Sequence, residues 1–332
     1  MLFPLIGLLT SCFKEDERVI PLPPSDVSEV VIEMLPDYSL QSYFNLSEGA
    51  VVSSNIKDDW DIALSCVVDD FTLVLNTARF IRIAHTGSDL FEVAYSSDGF
   101  EYSFDSSDGN PLENAIGRWW NSTPDGPVSL NEVILVDRGL NEEGLPAGYI
   151  KIQPIIDPAS GEVSIRIAEL DGNEERTFEF TRQEGLELVV MSFDTGQLTT
   201  QPIPAAADWD LLFTQYTTML FTDTGEEYPY LVTGVLINDT LVTAVMDSVM
   251  PFDQIDREAA EKMVLSTRRD VIGYEWKRLK GDVTSGDVTY EAIPEMVYII
   301  KNIDGFYFKL RFTDFYNEQG QKGYPTFEYQ KL

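Results

Sequence analysis

Trp60-Asp61-Ile62-Ala63-Leu64 recurs as Trp209-Asp210-Leu211-Leu212-Phe213, each copy directly after an aspartate and each with a glycine upstream, Gly49 or Gly196. An indole and a carboxylate at the head of an apolar strand suit a fold-specifying position. The ring is large enough to bury, and the carboxylate can satisfy nearby turn amides. Four further matches follow in the same order. Ile116-Gly117-Arg118-Trp119-Trp120 pairs with Ile272-Gly273-Tyr274-Glu275-Trp276, and Val133-Ile134-Leu135-Val136 with Val297-Tyr298-Ile299-Ile300. Tyr149-Ile150-Lys151-Ile152 pairs with Tyr307-Phe308-Lys309-Leu310, and Thr177-Phe178-Glu179-Phe180 with Thr326-Phe327-Glu328-Tyr329. Strands draw on a small alphabet, so one match means little, but five in order indicate an internal duplication. The reading divides the chain near Gln183 to Gly185 into two units, 28–183 and 184–332. In the Tyr-x-Lys-x strands, alternation places the lysines on a solvated face.

Around these anchors the strand signal dominates. Val30-Val31-Ile32, Phe71 to Leu75, Val163 to Ile167, Val297 to Ile300 and Phe308 to Phe312 are β-branched or aromatic. Asp-Gly and Gly-containing turns such as Ser107-Asp108-Gly109-Asn110, Asp171-Gly172-Asn173 and Asp304-Gly305 separate them. One stretch, Asp253 to Leu265, carries a helical apolar stripe of Ile255, Ala259 and Met263. The fold class is therefore all-β with minor helix, as two tandem antiparallel β-domains.

The chain has 332 residues, 44% of them hydrophobic, enough for two cores. Fifty-six acidic residues against 23 basic ones give a formal net charge of -33, which excludes nucleic acid as a partner. Two cysteines, Cys12 and Cys66, give no disulfide framework, and Cys66 reads as core.

Leu2 to Leu9 form an apolar run too short to span a bilayer, and Leu9-Thr10-Ser11-Cys12 follows it. This resembles a bacterial lipobox, with residues 1–11 as signal peptide and Cys12 as the diacylated residue. No basic residue precedes Leu2, a departure that leaves room for an upstream start. Phe13-Lys14-Glu15-Asp16-Glu17 is similar to the lysine-plus-acidic tag of surface-exposed Bacteroidetes lipoproteins, and Pro21, Pro23 and Pro24 extend a tether over 12–27. The expected location is the outer membrane, anchored in lipid through Cys12 and exposed at the cell surface.

From Tyr43-Phe44-Asn45-Leu46-Ser47-Glu48-Gly49 through the two Trp-Asp segments to Gly323-Tyr324-Pro325-Thr326-Phe327-Glu328-Tyr329, the chain resembles the HmuY family of Bacteroidetes lipoproteins. The resemblance spans about residues 36 to 332. It implies an all-β fold and, as in the family's haem-binding members, capture of haem for a TonB-dependent receptor. Those members use two axial side chains, His and His or Met and Met. The first of the two corresponding stretches, 242–250, offers Met246 and Met250; the second, Leu279 to Gly286, has neither His nor Met. Any haem site of this kind is weak, single-ligand or differently placed. Trp276, between the two stretches, belongs to the candidate ligand-binding set.

Other chemistry is thin. His85, the only histidine, ends the stretch Phe80 to Ala84 and is either an iron ligand or a hydrogen-bonded structural residue. One histidine excludes His-rich zinc sites, and no nucleophile-elbow pattern supports a hydrolytic triad. The acidic turns at Asp105 to Asn110 and Asp223 to Glu227 do not fit a calcium loop. Tyr228-Pro229-Tyr230 and Trp119-Trp120 are the aromatic candidates for stacking on a planar ligand or a sugar. The sequence thus points to a non-enzymatic surface protein that binds haem, a porphyrin or another hydrophobic nutrient for uptake. The rival is a surface module that binds glycan or a partner protein.

Overall fold

The computed structural model describes residues 24–141, 144–222, 224–282 and 287–332. The signal segment 1–11, Cys12 and most of the tether lie outside the described residues. In chain order the strands are β1 (Ser28–Val31), β2 (Leu40–Asn45), β3 (Ala50–Ile56), β4 (Ile62–Ser65), β5 (Leu73–Leu75) and β6 (Arg82–His85). There follow β7 (Trp120–Thr123), β8 (Gly126–Ser129), β9 (Ile134–Asp137), β10 (Tyr149–Ile156), β11 (Val163–Glu169) and β12 (Arg176–Phe180). Next come β13 (Leu188–Ser192), β14 (Gly196–Gln197), β15 (Leu211–Phe221), β16 (Glu227–Ile237) and β17 (Thr243–Asp247). After a short helix α1 (Arg257–Glu261) the chain closes with β18 (Lys277–Asp282), β19 (Asp287–Ala292), β20 (Val297–Lys301), β21 (Tyr307–Tyr316) and β22 (Lys322–Lys331).

Four antiparallel sheets carry the fold, in the strand orders β12-β11-β10-β9-β6, β14-β13-β4-β5, β1-β22-β21-β20-β17 and β16-β15-β2-β3. The first two enclose one core, where Ile62, Leu64, Met191, Ile134, Ile152 and Ile165 meet. The last two enclose another around Phe44, Leu211, Phe213, Tyr298, Leu310 and Phe327. Period-2 alternation explains the layering: Ile62 and Leu64 point into the first core while Ala63 points out, and Leu211 and Phe213 point into the second while Leu212 points out.

Hydrogen bonding does not follow the division at 183/184. β2 pairs with β15, Phe44 opposite Leu211, and β1 pairs with β22. Reciprocally, β13 pairs with β4, Met191 opposite Ile62. The N-terminal three strands thus complete the C-terminal half, and β12 to β14 complete the sheets of the middle. Residues 57–201 form a continuous unit set between the two pieces, 24–56 and 203–332, of the other.

The strand registers align three of the five repeated segments, Ile62 facing Met191 as Leu211 faces Phe44. Ile134 faces Ile152 as Tyr298 faces Leu310, and Leu135 faces Lys151 as Ile299 faces Lys309. The fifth is corrected. Phe178 lies opposite Ile165 in one unit and Val30 opposite Phe327 in the other, so the equivalent of Phe327 in the other unit is Ile165, and that of Phe178 is Val30. Short aromatic strands look alike, and only pairing tells them apart. Gly273 sits at φ 64, as Gly117 does at φ 59, and a side chain on facing Gly234 would meet the Gly273 carbonyl at 2.4 Å.

Two other expectations are corrected. The lysines of the Tyr-x-Lys-x strands are buried, Lys151 at 0% and Lys309 at 4% exposure. Each ammonium finds two backbone carbonyls: Lys151 Nζ donates to Phe91 and Val93 O, and Lys309 Nζ to Phe252 and Ile255 O at 2.7 and 2.9 Å. The helix expected over Asp253 to Leu265 shrinks to Arg257–Glu261, capped by Asp256. Ile255 is extended there, with its carbonyl held by Lys309, so no helix runs through it. Cys66 is half-buried against the first core.

Candidate functional site

The Trp-Asp segments do the structural work their chemistry suggests. Trp60 and Trp209 are each 7% exposed, and Asp61 and Asp210 are fully buried. Asp61 Oδ2 accepts the amide of Phe193 and Asp210 Oδ2 that of Leu46, both at 2.7 Å. Asn76 Nδ2 caps the Lys57 and Trp60 carbonyls, as Asn238 Nδ2 caps those of Ala206 and Trp209. Burial raises the affinity of both carboxylates for protons.

The haem-site candidates separate into two groups. Met246 on β17, 40% exposed, lines a pocket of about 230 Å³ with Tyr216, Tyr274, Met296 and Tyr298. Met296, which the sequence reading missed, immediately precedes β20, the strand that pairs with β17. The Tyr298 hydroxyl is buried there with no hydrogen-bond partner, and burial drives its pKa far up. Met250 does not line this pocket: it packs against the cluster that contains Phe252, Ile255 and Val297. Trp276 is corrected from ligand-facing ring to core, 1% exposed and stacked on Phe312 with ring centroids 4.0 Å apart. Tyr228 and Tyr230 pack edge to face on β16, 38% and 52% exposed, and the phenols of Tyr228 and Tyr274 are close enough to influence each other. Of the stretch searched for a second ligand, 279–282 lie on β18, which pairs with β19, and 283–286 lie outside the described residues. Trp119 is core, its Nε1 donating to Phe71 O, while Trp120 is half-buried against Phe71.

His85 stands at the position of Met246 in the other unit: His85 faces Ile134 across β6-β9, and Met246 faces Tyr298 across β17-β20. Glu132 correspondingly stands where Met296 does. Both imidazole nitrogens are engaged, Nδ1 with Glu132 and Nε2 with the Ala115 carbonyl, each at 3.0 Å. A ligand iron would have to displace one of these partners.

The HmuY protein family model matches residues 37–329. This chain belongs to the HmuY family. Among solved structures, apo PinO from Porphyromonas gingivitis is similar at 11% identity and a TM-score of 0.30, covering 93% of this chain and 98% of that one. The apo HmuY analogue of Tannerella forsythia gives 12% identity and a TM-score of 0.22, covering 93% and 98%. An HmuY-like heme binding protein from Bacteroides vulgatus gives 17% and 0.17, covering 53% and 82%. At these scores the HmuY assignment rests on the family model. No curated protein matches.

Proposed function

We propose that this HmuY-family chain is a lipid-anchored outer-membrane surface protein, not an enzyme, that binds haem or a related porphyrin and hands it to a TonB-dependent receptor. The observation that carries the ligand is the meeting of Met246 and Met296 in one pocket, two soft thioethers suited to iron, beside the unpartnered Tyr298 hydroxyl and Tyr274. A pocket of about 230 Å³ is smaller than those that enclose drug-sized ligands, so a macrocycle would lie across its mouth toward Tyr228 and Tyr230. Asp270 and Glu275 on the wall are offset only in part by Arg268, which pairs with Asp270, so propionates gain little there and affinity is low. The lipobox-like Cys12 supports the anchor, and among the described residues no helix is long and apolar enough to cross a membrane.

Haemin titration of the acyl-free protein, oxidised and reduced, tests this through the Soret band. A saturable shift weakened by Met246→Ala or Met296→Ala and indifferent to His85→Ala is the expected result. The absence of a shift in either redox state rejects it. The acidic wall favours the second reading, a surface module that has kept the fold without the porphyrin. Fatty-acid labelling of the full-length protein, with Cys12→Ala as control, tests the anchor separately.

A further inference from the structure

The outward faces of the β14-β13-β4-β5 and β16-β15-β2-β3 sheets meet across Ile203, which packs against both. Between them lies a cavity of about 360 Å³ that shares no lining residue with the methionine pocket. Tyr43, Trp60 and Trp209 supply its aromatic wall, and four carboxylates and one guanidinium line it as well. Two of the carboxylates are already served. Asp105 accepts the Leu75 and Ala115 amides, and burial raises its pKa to about 6 against the pull of those amides and of the nearby Arg269 guanidinium. Asp70 accepts the Thr72 amide and hydroxyl, and the Arg182 guanidinium donates to its carbonyl. Glu187 and Asp239 have no such relief. Among the described residues neither is in an ion pair, and the one hydrogen bond to either carboxylate runs from Thr240 Oγ1 to Glu187 Oε2 at 3.4 Å. Burial, and the charge of Asp239 beside it, raise the Glu187 pKa. The fold sets this pair next to the indoles: Asn238, which bonds the Trp209 carbonyl, precedes Asp239, and Leu188, which packs against the cluster that contains Trp60, follows Glu187. A side chain on Gly109, from the turn of the other unit, would collide with the Asp239 carboxylate.

We infer that this inter-unit cavity is a binding site for a primary organic ammonium ion with an apolar body, of the class of an aralkylamine. Two half-buried carboxylates held side by side without a counter-charge cost the fold stability, and a bound cation removes that cost. An ammonium group brings three donors to acceptors that the protein leaves open on Glu187 and Asp239. A neutral ligand would leave the two charges uncompensated, and an anion would add a third. The three rings supply the surface on which an apolar body is buried. The volume falls in the range of small-ligand sites. The site does not depend on the porphyrin reading, and its test is independent of haemin.

The test is titration of the full acyl-free chain with phenethylamine at about 0.15 M salt, read by tryptophan fluorescence and calorimetry. 2-Phenylethanol and phenylacetate carry the same ring with a different charge, and methylammonium carries the charge without the ring. Phenethylamine should saturate and bind at least about tenfold tighter than each of the three. Glu187→Gln and Asp239→Asn should each weaken it about tenfold and leave the urea midpoint equal or higher, since each removes a repelling charge and breaks no ion pair. Glu318→Gln, on the exposed turn between β21 and β22, controls for general attraction to an acidic surface and should leave binding unchanged. No saturation by phenethylamine up to about 50 mM, equal binding of 2-phenylethanol, or amine binding indifferent to both cavity substitutions overturns the inference.

Discussion

The Asp210 carboxylate receives the amide proton of Leu46 at 2.7 Å across 164 positions of sequence. Asp61 does the same for Phe193, 132 positions away. Each aspartate therefore fastens to its own sheet a hairpin that the chain supplies from elsewhere. Their second oxygens differ: Asp210 Oδ1 takes the Ile303 amide at 2.9 Å, whereas Asp61 Oδ1 pairs with the buried Arg79 guanidinium.

Replacing either carboxylate should destabilise the fold, by different routes. Asp210→Ala strands two buried amides, at a cost of about 2–4 kcal/mol. Asp61→Ala strands one amide and takes from the buried Arg79 guanidinium one of its two carboxylate partners, Asp58 remaining, at a cost of about 2–4 kcal/mol. Asp210→Asn keeps one acceptor oxygen and should fall between Asp210→Ala and the parent. Urea midpoints measure all three, and an Asp61→Ala protein as stable as the parent would contradict the assignment.

Strand exchange predicts which pieces of the chain fold. The fragment 57–201 contains both sheets and the whole of its core, so alone it should unfold cooperatively with a stability of several kcal/mol. The fragment 184–332 lacks β1 to β3 and with them Ile32, Met34, Phe44 and Leu46 of its core, and should be unfolded or aggregated. Adding a 24–56 peptide to 203–332 should restore structure. Near-UV circular dichroism distinguishes these outcomes, and an independently folded 184–332 would refute the exchange.

The all-β class was legible because alternation and turn residues are local signals, and the Trp-Asp repeat was legible because a buried ring and carboxylate need those residue types. The exchange of hairpins was not. β2 satisfies β15 with the same alternation that would satisfy β4, so Phe44 and Met191 carry no mark of which sheet they enter. Lys151 and Lys309 were misplaced because alternation counts a lysine as polar and cannot see the carbonyls that wait for it. Met296 was missed because it sits outside the strand that pairs with Met246, so only the fold brings them together.

Lys277 makes stability depend on pH. Its ammonium is buried against Trp276 and Phe315, with Nζ donating to the Thr233 carbonyl, and burial lowers its pKa from 10.5 to about 7. Below pH 7 both folded and unfolded chains hold the proton, and the fold bears the full burial cost. Between about 7 and 10.5 the folded state releases it while the unfolded state keeps it, so this residue's penalty shrinks as pH rises. Lys277→Met should therefore favour the fold at pH 6 relative to pH 10, by about 2–4 kcal/mol after the constant loss at Thr233 is subtracted. Equal effects in denaturation at the two pH values would show that the amine is not desolvated in solution.

The equivalence of His85 and Met246 gives a gain-of-function test of the porphyrin site. His85 is held by Glu132 and the Ala115 carbonyl, so its nitrogens are occupied. At the matching place Glu132 is replaced by Met296, whose thioether is a poor hydrogen-bond partner for an imidazole. An imidazole at residue 246 would keep at least one nitrogen free at the pocket mouth, where imidazole binds iron more firmly than a thioether does. Met246→His should then tighten haemin binding about tenfold and shift the Soret maximum toward that of histidine-ligated iron. The His85→Met substitution in the other unit should change neither. Weaker or unchanged binding by Met246→His, with the protein still folded, would show that residue 246 does not face the metal and would move the search to Tyr228 and Tyr230.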